Sequence, residues 1–292
     1  MAKTVPFEPG AFPPELVLQA YRVGVFPMGR ARDDDEVFWL DPPERAVVPL
    51  ESFRPSRSLA RVLRRGTYTV TCNAAFDAVL AACAAPRAAR PDRQGGDDDD
   101  EPGETWINAR IAATVRTLHD LGHAHSIEAW CGDPAAGGTL VGGLYGIGFD
   151  GAFCGESMFS TRRDASKVAF AWLVAALRRG GATLLDCQFM TGHLASLGAI
   201  EIGRGDYRRR LAAAQRGVGQ NVAAQRVAVS GPVAASGLGV GDGAADGDAV
   251  AAGLCAPLAL PLGFAALLAD AASLGLASSP GKVIAQSFTQ TS

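Results

Sequence analysis

Several common chemistries are missing from this sequence. Its six cysteines (Cys72, Cys83, Cys131, Cys154, Cys187 and Cys255) form no C-x-x-C pair, which argues against a zinc ribbon or a dithiol redox motif. Scattered thiols of this kind are expected to stay reduced, as in a cytoplasmic protein. There is no glycine-rich loop ending in its lysine, which speaks against a P-loop nucleotide hydrolase. No G-x-S-x-G elbow is present, which disfavours a common hydrolase architecture. The first residues show no basic stretch followed by an apolar run, so no signal peptide is expected. Aromatic residues are scarce at 7%, whereas glycine is abundant at 35 residues of 292, the mark of at least one low-complexity stretch. What remains is ample for folding: 48% hydrophobic and 20% charged residues can build one large or two modest domains and exclude a wholly disordered chain.

The formal net charge of −3 hides local asymmetry. Arg54, Arg57, Arg61, Arg64 and Arg65 cluster in one short stretch, and Arg204, Arg208, Arg209 and Arg210 in another. Against them stands the run Asp97 to Asp100 with Glu101. A basic patch matters more to a nucleic-acid partner than the sum of charges, so such a partner stays open.

Patterning predicts mixed helices and strands. Pro13-Pro14 before an apolar-periodic stretch and Gly24 after it predict a helix over 14–23. Residues 25–45 read as an aromatic loop. A helix over 57–65 places Arg57, Arg61, Arg64 and Arg65 on one face and Leu59, Val62 and Leu63 on another. A strand over 67–72 follows, then a helix over 74–84 capped by Asn73. Residues 86–104 carry no apolar periodicity and read as a solvated acidic insertion. Asn108 is placed to cap a helix running to Leu121. Three strands, 125–131, 139–149 and 152–159, follow, the last two joined by an Asp150-Gly151 hairpin turn. A long apolar helix capped by Asp164 runs to Leu177, then come a strand over 182–187 and a short helix over 191–197. From residue 217 the chain is rich in Ala, Gly, Val and Leu. Residues 249–269 have no charged side chain, long enough to span a bilayer, but Pro257, Pro261 and the lack of flanking Lys or Arg argue against a span. A disordered or loosely helical tail is expected there, with no stable membrane association; a membrane-associated segment and a small packed helix pair are the alternatives.

Three places can carry chemistry. In HDLGHAH (119–125), His119 and His123 are four residues apart, but Asp120 stands where a metalloprotease needs glutamate and Gly122 tends to end the helix, so hydrogen-bonding histidines and no metal are expected. Glu156 lies inside the apolar stretch FCGESMF, where a carboxylate must face solvent or pair, because burying it alone is costly. Asp186 and Gln188 in LLDCQF fall two apart at the end of an apolar strand, so in extended chain they share a face. A carboxylate there can orient an attacking amine or accept its proton, and an amide can both donate and accept; an Asp capping the following helix is the alternative on spacing alone. Taken by themselves, these patterns support an α+β enzyme or binding protein with a basic face.

The ordered string YRVGVFPMG (21–29), FWLDPPERAVVPL (38–50), ETWIN (104–108), LGHAHSIEAW (121–130), LVGGLYG (140–146), FCGESMFS (153–160), DASK (164–167), LLDCQF (184–189) and HLASLGAIEI (193–202) resembles the leucyl/phenylalanyl-tRNA–protein transferase family across residues 12–211. The resemblance implies an α+β fold. It would comprise a small N-terminal domain (1–66) and a GNAT-like acyltransferase domain (67–216), to which composition adds the acidic loop insertion 86–104 and the low-complexity tail 217–292. It implies transfer of Leu, Phe or Met from aminoacyl-tRNA onto proteins with N-terminal Arg or Lys, marking them for degradation, with no cofactor. Partners would then be Leu-tRNA, Phe-tRNA and such acceptor proteins, met by a cytoplasmic protein that is a monomer by default. Carried over residue by residue, Asp186 and Gln188 would orient and activate the attacking α-amine, and Glu156 would attract the acceptor's basic side chain. Trp39 and Trp106 would stack on the terminal adenosine and aminoacyl group. Met158, with Leu144, Phe170, Leu173 and Leu185, would line the pocket for the Leu or Phe side chain. Arg57, Arg61, Arg64 and Arg65 would hold the tRNA acceptor stem through phosphates.

The chain departs from the family at three points. Only Trp39, after Phe38, stands where many members carry two adjacent tryptophans; residue 144 is Leu where some have Met; and the acidic insertion and the tail lie outside the resemblance. Two other readings compete: a non-catalytic tRNA-binding module, and an acyl-CoA-dependent GNAT-like N-acyltransferase. The latter would need an Arg- and Gly-rich pyrophosphate turn before the long helix, of which Ser160 to Asp164 is a poor version.

Overall fold

The computed structural model describes residues 10–86, 105–228, 256–277 and 279–289; the acidic run 97–101 lies outside them. Helix α1 (Pro14–Arg22) opens on a proline, whose missing N–H costs nothing there, and turns Val17, Leu18 and Tyr21 inward. The stretch expected as a loop is instead a hairpin, β1 (Phe26–Gly29) with β2 (Val37–Leu40), followed by β3 (Glu44–Val48). Four-residue strands give too short an alternation to read, and Pro27 inside β1 conceals it further. Helix α2 (Arg57–Arg65) is capped by Ser56, whose Oγ accepts from the Leu59 N–H at 3.2 Å, and stops at left-handed Gly66.

Strand β4 (Thr69–Cys72) leads to α3 (Phe76–Cys83). Asn73 does not cap α3: it sits at φ 58°, and its Oδ1 accepts instead from the Ser126 N–H at 2.9 Å, tying two neighbouring strands. Asn108 does cap α4 (Ala109–Asp120), accepting from the Ile111 N–H at 2.9 Å. Strands β5 (Ala124–Cys131), β6 (Thr139–Phe149) and β7 (Ala152–Ser160) form an antiparallel meander whose last turn is the Asp150-Gly151 pair. Helix α5 (Ala165–Arg179) then crosses over to β8 (Leu184–Asp186), which pairs parallel to β7. Asp164 precedes α5 at φ 63° without a side-chain capping bond, contrary to expectation. Helix α6 (Gly192–Ser196), β9 (Ile200–Gly203) and α7 (Arg204–Ala228) follow.

The main sheet has the order β4-β5-β6-β7-β8-β3-β9, and β7–β8 is its one parallel pair among the described residues. Strand β3, placed by the sequence in the N-terminal domain, is thus a strand of the main sheet. Each face buries its own core. On one face lie α1, α3, α4 and the start of α7, with Leu18, Phe26, Leu118, Phe149 and Tyr207. On the other, α5 buries every residue from Ala165 to Leu177 except Lys167. A helix apolar all round needs cover on both sides. The outer cover is α8 (Leu260–Ser273), and α9 (Gly281–Ser287) lies between α8, α5 and α2.

Of the readings of the tail, the described residues 256–277 and 279–289 take that of a small packed helix pair and not that of a disordered or loosely helical tail. Leu260, Phe264, Leu267 and Ala271 recur at helical spacing and are buried, with the Phe264 ring 5.2 Å from Trp172. Residues 260–269 of the uncharged run belong to α8, whose buried side faces α5, and residues 249–255 lie outside the described residues. No helix among the described residues is long and apolar enough to cross a membrane.

Candidate active site

Strands β7 and β8 run parallel only as far as the pair Cys154–Asp186; β8 then ends while β7 continues to Ser160. The parting opens a notch at the carboxyl end of β8, beside the middle of β7, and strand ends of this kind are where such sheets present side chains to ligands. A second irregularity aims a side chain into it. Tyr145 pairs with Ser157 and Gly146 with Gly155, so Glu156 is an extra residue in β7, a β-bulge. The bulge turns Glu156 toward α1, where its Oε1 accepts from the Tyr21 hydroxyl and from the Gln188 Nε2, both at 2.9 Å.

Above Glu156 is a small cleft walled by Phe12, Val17, Tyr21, Trp106 and Ile111. Loss of water around the Glu156 carboxyl pushes its pKa up to about 8; the Tyr21 bond opposes this, nearby Asp186 adds to it, and Gln188 and Arg45 oppose it.

Asp186 lies beneath, with no exposed surface. Its Oδ2 accepts from Arg45 Nη1 at 2.6 Å and from the Tyr207 hydroxyl at 2.8 Å, with the Cys154 thiol at 3.7 Å. Its Oδ1 accepts from the Gln188 backbone N–H at 2.8 Å. That last bond is an Asx-type turn, which holds Gln188 at φ 60° and sends its side chain toward Glu156. Burial pushes the Asp186 pKa up, while Arg45, the Gln188 N–H and Tyr207 oppose it. Both oxygens are therefore engaged inside the protein, and Asp186 reaches the cleft through Gln188.

Arg45 completes the arrangement. It is 2% exposed, its other terminal nitrogen donates to the Gly24 carbonyl, and its guanidinium carbon lies 4.7 Å from the Phe26 ring centre and 4.4 Å from that of Tyr207.

Of the residues singled out from sequence, Glu156 and Trp106 line the cleft, and the buried Gln188 reaches it through its bond to Glu156. Trp39 stands beside it, edge-on to Phe12 at 5.3 Å. Leu144, Phe170, Leu173 and Leu185 do not line this cleft; they are buried in the core under α5, on the other face of the sheet. Met158, in register with Leu144, is half-buried at the rim of that core. Arg57, Arg61, Arg64 and Arg65 are exposed along α2, away from the cleft.

The three histidines have separate partners: His119 stacks on Phe76 at 3.9 Å, His123 faces the Gly148 carbonyl at 3.2 Å, and His125 meets Asn73 at 3.0 Å. Sequence reasoning missed Tyr21, Arg45 and Tyr207. The rule that singled out Glu156, a charge inside an apolar strand, also applies to Arg45 in ERAVV, but the strand itself went unread.

Comparison with known proteins gives two family matches. Residues 10–43 match the leucyl/phenylalanyl-tRNA protein transferase N-terminal domain, and residues 47–212 match the leucyl/phenylalanyl-tRNA protein transferase model. A protein of Novosphingobium aromaticivorans named leucyl/phenylalanyl-tRNA–protein transferase is 56% identical, with 98% of each chain aligned. Proteins of the same name from Rhizorhabdus wittichii and Ruegeria pomeroyi are 53% and 49% identical, over 68% and 71% of this chain and 73% and 89% of theirs.

Proposed function

The chain belongs to the leucyl/phenylalanyl-tRNA–protein transferase family, and we propose that it moves Leu, Phe or Met from aminoacyl-tRNA to the N-terminal Arg or Lys of acceptor proteins in the cytoplasm, marking them for degradation. The observation that carries the reading is the Glu156–Gln188 pair at the floor of an apolar cleft, where β7 and β8 part.

In this reading the acceptor's basic side chain displaces the Tyr21 hydroxyl from Glu156 and pairs with its carboxylate, a stronger, charge-assisted bond. Gln188, whose Nε2 already binds Glu156, offers its carbonyl oxygen to an N–H of the α-amine. The amine then stands where its lone pair meets the ester carbonyl. The C–N bond forms, the ester C–O bond breaks, and the 3′ oxygen of the terminal ribose leaves with a proton from the amine. An aminoacyl ester is already activated, so alignment supplies much of the rate. Asp186 acts as a positioning residue: it is sealed from the amine and sets the backbone of Gln188.

Trp106 and Trp39 offer faces for the adenosine and aminoacyl group. Met158 is the adaptable edge of the aminoacyl pocket. Its unbranched thioether can move aside to admit a Leu or Phe side chain toward Leu144, Phe170, Leu173 and Leu185. The exposed arginines of α2 take the acceptor-stem phosphates. An acyl-CoA reading is less well served, because the carboxylate of Asp164 stands where α5 begins and a pyrophosphate would seek free N–H groups.

The test is transfer of radiolabelled Leu or Phe from its tRNA to peptides, without ATP or acyl-CoA. Asp186→Ala should retain tRNA binding and lose transfer; loss of both together contradicts a separate role in the reaction.

A further inference from the structure

Helix α2 has two faces. Arg57, Arg61, Arg64 and Arg65 point outward, while Leu59 and Leu63 are buried. Its principal helical neighbour is α9, with a smaller contact on α5. That contact has no slack: a Cβ on Gly281, the first residue of α9, would overlap the backbone carbonyl oxygen of Leu63. At the far end of α9, Phe288 is 1% exposed, edge-on to Phe53 at 5.0 Å, with the Arg178 guanidinium 4.9 Å from its ring centre. Arg178 in turn donates to the Phe53 carbonyl at 3.2 Å, just before α2. Helix α8 is anchored to α5 in the same way, since a Cβ on Gly263 would overlap the carbonyl oxygen of Ala176. A run of backbone-level contacts therefore leads from α5 through α8 and α9 to the helix that carries the arginines.

We propose that the C-terminal segment 256–289 is a positioning element for tRNA: packed under α2, it fixes the height and angle at which the arginine row meets the acceptor-stem phosphates. The proposal rests on the reading of α2 as the tRNA face. Phosphate contacts set register, so they depend on the backbone that holds them. With α9 displaced, Leu63 and Phe53 lose their cover and α2 no longer has one seat. None of this touches the cleft at Glu156, which lies on the other face of the sheet.

The experiment uses full-length Gly281→Ala, Phe288→Ala, Phe288→Leu and Arg61→Ala. It measures Kd for uncharged tRNA at fixed salt, so that the aminoacyl-pocket residues sharing the α5 core do not enter, and kcat and peptide KM at saturating Phe-tRNA. Gly281→Ala and Phe288→Ala are expected to weaken tRNA binding about three- to tenfold, with kcat and peptide KM within about twofold of the native values. Phe288→Leu, which keeps an apolar side chain under Arg178, should restore most of the affinity and serves if the alanine variant does not fold. A purely structural role would lower the active fraction, reducing kcat and leaving Kd unchanged. Unchanged Kd in the C-terminal variants, with Arg61→Ala weakened, overturns the proposal alone. Unchanged Kd in Arg61→Ala as well removes the reading of α2 and the proposal with it.

Discussion

Burying a guanidinium away from water is tolerable only when charge and hydrogen bonds replace the solvent. Arg45 meets that condition with the Asp186 carboxylate, the Gly24 carbonyl and two aromatic faces. Its removal strands a negative charge that nothing else neutralises. Arg45→Met is therefore expected to lower unfolding free energy by about 3–5 kcal/mol, read from the urea midpoint. Arg45→Lys keeps the charge but not the fork, and should retain more stability than Arg45→Met while reducing kcat through Gln188.

Glu156 gives a pH signature in two directions. The folded chain keeps its proton up to about pH 8, while an unfolded chain releases it near 4.5. Between those values the folded state holds more protons, so this group's contribution to stability falls as pH rises. Glu156→Gln removes the titration, and its stability relative to the native protein should improve by about 1–3 kcal/mol between pH 5 and pH 8.5, measured by urea unfolding at each pH. Acceptor binding runs the other way. The ionised form attracts an N-terminal Arg, so KM for an Arg peptide should fall as pH rises toward 8 and level off above it, whereas Glu156→Gln should lack that fall. The candidate residues Glu156 and Asp186 were legible because a charge inside an apolar strand must be satisfied, whereas Gln188, read as extended beside Asp186, lies past the end of β8 at φ 60°. Their partners Tyr21 and Tyr207 were not, since a phenol on a helix reads as core until the distant carboxylate it meets is known.

At the scale of elements, long periodic segments were legible and short or irregular ones were not. The bounds of α2 follow from Ser56 before it and Gly66 after it, and the β6–β7 turn from Asp150-Gly151. The bulge at Glu156 left no mark in the sequence, because an extra residue becomes visible only against its partner strand. The β1–β2 hairpin was hidden by strand length and by Pro27. For α2, the exposed arginines predict an ionic contribution to tRNA binding. Arg61→Ala and Arg64→Ala should each weaken binding and flatten the slope of log K against log salt by about one unit, checked by titration across salt concentrations. For β7, Met158→Ala should enlarge the pocket proposed for the aminoacyl side chain and shift the ratio of kcat/KM for Phe-tRNA over Leu-tRNA upward, by an amount on the order of 1–3 kcal/mol per methylene of space gained.

For the whole molecule, the sheet is the divider. One face carries the cleft, Glu156 and the buried Arg45–Asp186–Tyr207 cluster; the other carries α5, the aminoacyl-pocket candidates and α2 with its C-terminal cover. The notch between β7 and β8 is where the two faces meet, which suits a reaction joining two large substrates. The α+β class was readable from the order of strands around a long apolar helix. The place of β3 in the main sheet was not, since its neighbours β8 and β9 come some 140 residues later in the chain. Nor was the order of α8 and α9: Leu260, Phe264, Leu267 and Ala271 have helical spacing, but the apolar helix α5 that they cover lies about 90 residues earlier in the chain.

The central claim is that Glu156 reads a basic N-terminus while Gln188 aligns its amine. The most direct test is the transfer of radiolabelled Phe from Phe-tRNA to peptides differing only in the first residue, Arg, Lys or Ala, by the native protein and by Glu156→Gln. The account predicts transfer to the Arg and Lys peptides and little to Ala, with the preference collapsing in Glu156→Gln through a raised peptide KM. Equal transfer to all three peptides, or a preference that survives Glu156→Gln unchanged, would contradict it.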